Sequence, residues 1–312
     1  LLKNHTAAAE AFSQVATAVE VPQRFRLQAR LLWAESLLAS GDDQALLACA
    51  EELPRLLAGV QDFEVLLNFA RQLSRSGGDL QGASDQIYSM GESVALQAFA
   101  SATHPSQAIE ILFKLTRRQV YDFGRSHEAL AFWRSLSEEK KLWLWNNDNH
   151  WWGCLAFVLL AYLRTDDASS ARTFAQSLLD DPAIPRAALP GLLVPYYDAL
   201  LRRGGAEESL AAFEWIVTEN PTQAGCATAY YWLALDAYRR NDARGVAKHC
   251  ESLLLSNVHT EVTYDKWMFD TKARILQVGL DPRAIPSQAV NLDAQFTARA
   301  VETIKKDLQR LQ

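Results

Sequence analysis

The chain has 312 residues, 49% of them apolar, and 31 basic against 37 acidic residues leave a formal net charge of −6. That is ample material for a core, while the interspersed charges supply no general basic field of the kind nucleic acid demands, so no nucleic-acid partner is expected. The strongest apolar stretch, 151–163, is too short to span a bilayer and is flanked by Asp and Arg, which excludes it as an integral membrane segment.

Six times a long apolar helical pattern breaks at a small polar stretch and restarts with alanine-rich helix. The breaks are SGDD at 40–43, SGGD at 76–79, DFGRSH at 122–127, RTDDAS at 164–169, RRGGAE at 202–207 and RRNDAR at 239–244. They recur roughly every 37 to 46 residues, the signature of stacked helical hairpins. Distributed in this way, they point to one elongated α-solenoid domain over 1–312 rather than two globular domains.

In chain order, a helix over 6–19 carries Phe12, Val15 and Val19 at helical spacing. Residues 25–39 and 44–57 form a pair about Gly41-Asp42, with Leu31, Leu38, Leu46, Leu53 and Leu57 inward. Residues 63–73 and 80–91 follow about Gly77-Gly78. Pro105 then opens a helix over 106–122, which pairs with 127–136 across Gly124. The next pair is 155–163 with 168–179, after which Pro182, Pro185 and Pro190 forbid a continuous helix. The clearest pairs are 192–202 with 206–218 and 227–240 with 243–255. A helix over 264–278 and a polar-faced one over 289–311 close the chain, the latter turning Phe296, Ala300, Ile304, Leu308 and Leu311 inward. The organisation is therefore divergent helical repeats over 1–150, the clearest over 151–260, and a C-terminal helical cap over 261–312.

Leu193, Tyr196, Tyr197, Leu200, Ser209, Phe213, Ile216 and Pro221 sit at the spacing of bulky, small and aromatic positions in tetratricopeptide repeats. Tyr231, Ala234, Leu235, Tyr238, Ala247 and Glu251 repeat that order, as do Leu155, Val158, Leu159, Tyr162, Ala171, Ala175 and Leu178. On these residues the chain resembles the tetratricopeptide-repeat family or a closely related helical-repeat protein. Tyr197 stands where that family has a small residue and Ile216 where it has alanine, and the period exceeds the family's ~34 residues. The resemblance implies an all-α superhelical array of antiparallel helix pairs, a tetratricopeptide-like solenoid with longer helices or insertions.

In that family, first-helix positions line an inner groove. The matching register here selects Arg164, Asp198, Arg202, Trp232, Asp236, Arg239 and Arg240. Arginine recurs near the end of three successive first helices, and its planar fork suits a carboxylate, an acidic peptide or a peptide C-terminus. Arginine is also favoured there by the helix dipole and by its apolar stem, with no ligand involved. Asp198 and Asp236 would orient the arginines or receive a basic group.

Trp143, Trp145, Trp151 and Trp152 flank Asn146-Asn147-Asp148-Asn149-His150 and form a secondary interface candidate, because tryptophan joins large apolar area to an indole donor. The competing use is wedging irregular hairpins together. Lys114, Arg117, Arg118 and Tyr121 make a small basic-aromatic face. Phe132, Trp133 and Trp215 read as packing residues. Cys49, Cys154, Cys226 and Cys250 are isolated, with no CxxC, and read as buried thiols.

No nucleophile elbow, HExxH helix or paired-cysteine motif is present, and His5, His104, His127, His249 and His259 share no local constellation. No cofactor, metal or catalytic residue is therefore assigned. The leading expectation is a non-catalytic scaffold for protein–protein interaction that binds a peptide, helix or protein segment along its groove. Alternatives are a structural assembly subunit using the Trp-rich surface, and an enzyme holding a carbohydrate, lipid-linked or peptide substrate in a helical groove. The unpaired cysteines point to a cytoplasmic location. The start at Leu1-Leu2-Lys3, without Met, points to an excised or processed chain, so an exported or membrane-anchored protein is the alternative.

Overall fold

A computed structural model of the chain describes residues 4–40, 53–76, 80–145, 149–221, 224–256, 264–280 and 294–311. Among these it holds α-helices, one π-helical turn and two 3₁₀ turns, and no strand. The contacts divide the chain into two compact units, Leu1–Arg125 with Leu136–Asn146, and Ser126–Ser135 with Asn147–Gln312.

The first unit contains α1 (His5–Thr17), α2 (Gln23–Ser40), α3 (Leu53–Leu57), α4 (Phe63–Ser76), α5 (Gln81–Ser101), α6 (Pro105–Arg117) and α8 (Glu138–Leu144). α1 packs on α2, α4 on α5, and α6 on both α5 and α8. The expected turns at Gly41-Asp42 and Gly77-Gly78 lie outside the described residues, as do Leu46, Cys49 and most of the helix expected over 44–57. α5 runs ten residues beyond its expected end at Gly91. This glycine does not terminate the helix: a Cβ there would stand 3.0 Å from Leu67 Cδ2 and 3.1 Å from Leu66 Cβ, so its bareness lets α4 lie close. The helix expected to continue to Asp122 ends at Arg117 and widens into the π turn Arg118–Asp122, where the buried Gln119 amide donates to Glu92 (2.8 Å).

The second unit contains α7 (Ser126–Ser135), α9 (Asn149–Arg164), α10 (Ala168–Asp180), α11 (Leu189–Leu201), α12 (Ala206–Glu219), α13 (Ala227–Arg239), α14 (Ala243–Ser256), α15 (Tyr264–Gln277) and α16 (Ala294–Gln309). Successive helices pair as α9 with α10, α11 with α12 and α13 with α14, while the row α9, α11, α13, α15 packs side to side. α13 is at the centre, and every residue from Ala229 to Ala237 is buried, as expected for a helix apolar on nearly all sides. Pro190 falls in the first turn of α11, where a missing N–H costs nothing, but Pro195 sits inside it.

One turn ends all four helices of that row. Asp166, Gly204, Asn241 and Gly279 take positive φ (59°, 99°, 58° and 67°). At each, the residue itself donates three residues back and the next residue donates five back: Asp166 to Leu163 and Asp167 to Tyr162, Gly204 to Leu201 and Gly205 to Leu200, Asn241 to Tyr238 and Asp242 to Ala237, Gly279 to Leu276 and Leu280 to Ile275. This is the Schellman arrangement, which satisfies the orphan carbonyls of a helix end. Asp167 and Asp242 then cap the following helix through Ser170 N (3.0 Å) and Gly245 N (2.9 Å). The polar breaks thus have a mechanism: one left-handed residue and one capping residue reverse the chain.

Cys154, Cys226 and Cys250 are fully buried thiols. Burial pushes Cys226 and Cys250 from 9.0, and Tyr196 from 10.0, up to about 12. A raised folded-state value means that each group's contribution is complete below its unfolded pKa and is lost as pH rises towards 12. The urea midpoint should be flat to about pH 9 and then fall, each thiol removing about 1.4 kcal/mol per pH unit. Cys226→Ala with Cys250→Ala should make the fall between about pH 9 and 10 shallower. A midpoint unchanged between pH 9 and 10.5 in the parent chain would show that the thiols ionise freely.

Candidate functional site on the first-helix row

The Schellman turns set the Arg positions. Arg164, Arg202 and Arg239 each lie two residues before the left-handed residue of their turn, with Gln277 in the fourth place. The α9 and α11 turns lie side by side, since Arg203 donates to Leu163 O (2.5 Å) and Asp166 (2.8 Å). Arg164 is exposed at this edge.

Arg202 is anchored rather than free. Its Nε lies 3.1 Å from Asp198 Oδ2, its Nη1 3.4 Å from Asp307 of α16, and its guanidinium 5.2 Å from the Trp232 ring centroid. Trp232, chosen from the sequence as a groove residue, is 0% exposed. It cannot offer surface to a partner; its indole N–H instead donates to Asp198 (2.6 Å) and fixes the carboxylate that holds Arg202. Asp236, also mostly covered, takes Arg239 at 2.7 Å and Arg240 at 2.9 Å. The two aspartates therefore orient arginines, one of the two roles expected of them. The side chains of Arg202, Arg239 and Arg240 remain 38%, 43% and 56% exposed.

Beneath this rim is a cluster that the sequence reading missed. Asp307, fully buried on α16, accepts from Tyr231 Oη (2.9 Å) and Arg310 Nη1 (2.5 Å), with Lys272 Nζ at 3.7 Å. Burial and then the Asp307 charge hold the Tyr231 hydroxyl well above 10.0, so it stays a donor. Burial pushes the Lys272 ammonium below the usual lysine range, while Asp307 pulls the other way. Lys272 also lies 4.4 Å from the Tyr231 ring centroid. Four elements thus converge on one carboxylate, an arrangement suited to holding a carboxylate in place.

The four tryptophans of the secondary candidate do not form one surface patch. Trp151 and Trp152 are core residues of the second unit, Trp151 packing on Trp133 at 5.7 Å between centroids. Burial removes them as interface anchors. Trp143 and Trp145 belong to the first unit and are half-buried, with Lys140 Nζ 3.6 Å over the Trp143 ring. Asn146, Asn147 and Asp148 lie outside the described residues. On the basic-aromatic face, Lys114 is paired with Glu64 (2.6 Å) and Glu110 (2.7 Å), and Arg118 with Asp122 (2.7 Å). Local carboxylates thus neutralise two of its three cations.

No group of His, Cys, Asp and Glu among the described residues is placed to hold a metal ion, and no described helix is long and apolar enough to cross a membrane. No protein-family model matches the chain, and no curated protein matches it in sequence.

Proposed function

We propose that the chain is a non-catalytic protein-interaction scaffold of tetratricopeptide-like helical repeats, which binds an acidic peptide, helix or protein segment along the first-helix row of its second unit. The observation that carries this reading is the partial exposure of Arg202, Arg239 and Arg240, each held in place by a carboxylate of its own helix. Anchoring removes part of the side-chain entropy that binding would otherwise cost, while leaving the outward part of each fork for a partner carboxylate. The recurring turn supports the repeat reading: the left-handed residues stand 38, 37 and 38 residues apart. A near-constant period of this size, with matching turn chemistry, is what stacked helix pairs require.

The test is fluorescence anisotropy with labelled amphipathic helical peptides carrying none, one or three Asp or Glu residues on one edge. Binding is expected to rise with acidic content and to weaken as salt is raised from 50 to about 500 mM, because half-exposed charge pairs are screened. Equal affinity for neutral and acidic peptides, or none for either, would overturn the reading.

A further inference from the structure

The first-helix row is not open along its whole length. α16 packs on α13 and α15, two first helices, and reaches Arg202 at the end of a third. A simple continuation of the hairpin stack would set the last helix against α15 and the preceding second helix, α14, rather than against α13. Among the described residues of α16 and its end, the buried ones are Ala300, Ile304, Asp307 and Leu311, spaced 4, 3 and 4. That is the seam of a helix lying in a groove, with one carboxylate in an otherwise apolar stripe.

The seat beneath is built for that carboxylate. Tyr231 Oη, Arg202 Nη1 and Lys272 Nζ come from three different helices and meet at Asp307. Taken without α16, the seat holds two cations, Arg202 and Lys272, against the single Asp198 carboxylate. A charge excess at the base of an apolar groove selects an anion-bearing helix.

We propose that this seat is the receptor for an acidic amphipathic partner helix and that α16 is its intramolecular occupant, so that partner and α16 compete. This rests on the function proposed above and names the bound element: a helix presenting one Asp or Glu with apolar residues seven and three positions before it and four after. A ligand that binds only the α16-open form pays for opening, so weakening the internal contact raises its apparent affinity.

The test uses the full chain and a labelled synthetic peptide of residues 294–312. The peptide should bind the Asp307→Asn chain at least about tenfold more tightly than the parent chain, and an Asn-bearing version of the peptide should lose that gain. Lys272→Met placed in the Asp307→Asn chain should abolish binding in trans. Should Asp307→Asn fail to fold, hydrogen exchange on the parent chain decides: excess peptide should accelerate exchange of α16 amides and leave those of α13 protected. Equal binding to both chains, or α16 exchange unmoved by saturating peptide, overturns the proposal. If acidic panel peptides still bind the Arg239–Arg240 rim in that case, the proposed function stands without this seat; if they too fail, both fall.

Discussion

Asp307→Ala should lower the urea stability of the second unit by about 3–5 kcal/mol, the cost typical of breaking a buried ion pair by deleting one partner. The carboxylate is fully buried and touches Tyr231, Arg202, Arg310 and Lys272. Deleting it strands the Lys272 ammonium, itself almost fully buried, and leaves the Tyr231 hydroxyl without its acceptor. Most of the loss should come from the stranded charge rather than from missing attraction. Adding Lys272→Met should therefore return about 1–3 kcal/mol, a coupling expected of residues sharing one network. Urea unfolding followed by circular dichroism measures Asp307→Ala, Lys272→Met and the double variant. Additive losses in the double variant would mean that Asp307 and Lys272 are neighbours without being partners.

Replacing Arg239 and Arg240 together by Ala should reduce affinity for an acidic peptide by about 150-fold or more and lower stability by about 1–3 kcal/mol. Each charge-assisted contact to a partner carboxylate is worth about 1.5–3 kcal/mol. Both arginine side chains are about half exposed, but the buried Asp236 carboxylate loses both of its partners, so a moderate cost in stability accompanies the larger loss of binding. Calorimetric titration beside thermal unfolding separates the two effects. Unchanged affinity would remove this pair from the binding surface, and parallel loss of folding and binding would make its role structural.

The hairpin pattern was legible wherever local chemistry sets it. The helices expected over 206–218 and 243–255 end within one residue of Ala206–Glu219 and Ala243–Ser256, because the turns before them carry a left-handed residue and, in one of the two, an Asp cap. Reading Gly91 as a terminator failed because its role lies in contact with α4, on a helix from another part of the chain. α8 went unseen although Ser137 caps it through Lys140 N (3.1 Å) and Glu138 and Glu139 open it.

At the candidate site, the register found Asp198, Arg202, Asp236, Arg239 and Arg240, whose pairing lies within one helix and its cap. It missed Asp307, Lys272 and Arg310. Asp307 lies 105 residues from Arg202 and 76 from Tyr231 in sequence, so no spacing rule reaches it. One signal was present: the inward stripe of α16 passes from Ile304 to Leu311 through position 307, three residues on and four short. Leu308 was assigned inward in its place and is only half-buried, because helical geometry outranks hydrophobicity at a single position. Phe296, assigned to the same stripe, has a side chain outside the described residues.

Recognition of acidic segments by the first-helix row of the second unit, as proposed above, has a direct readout in hydrogen exchange of the full chain with and without a saturating acidic peptide. New protection should fall on the C-terminal turns of α11 and α13, around Arg202 and Arg239–Arg240, together with altered exchange in α16. Protection confined to α10, α12 and α14, or to the first unit, would contradict the account.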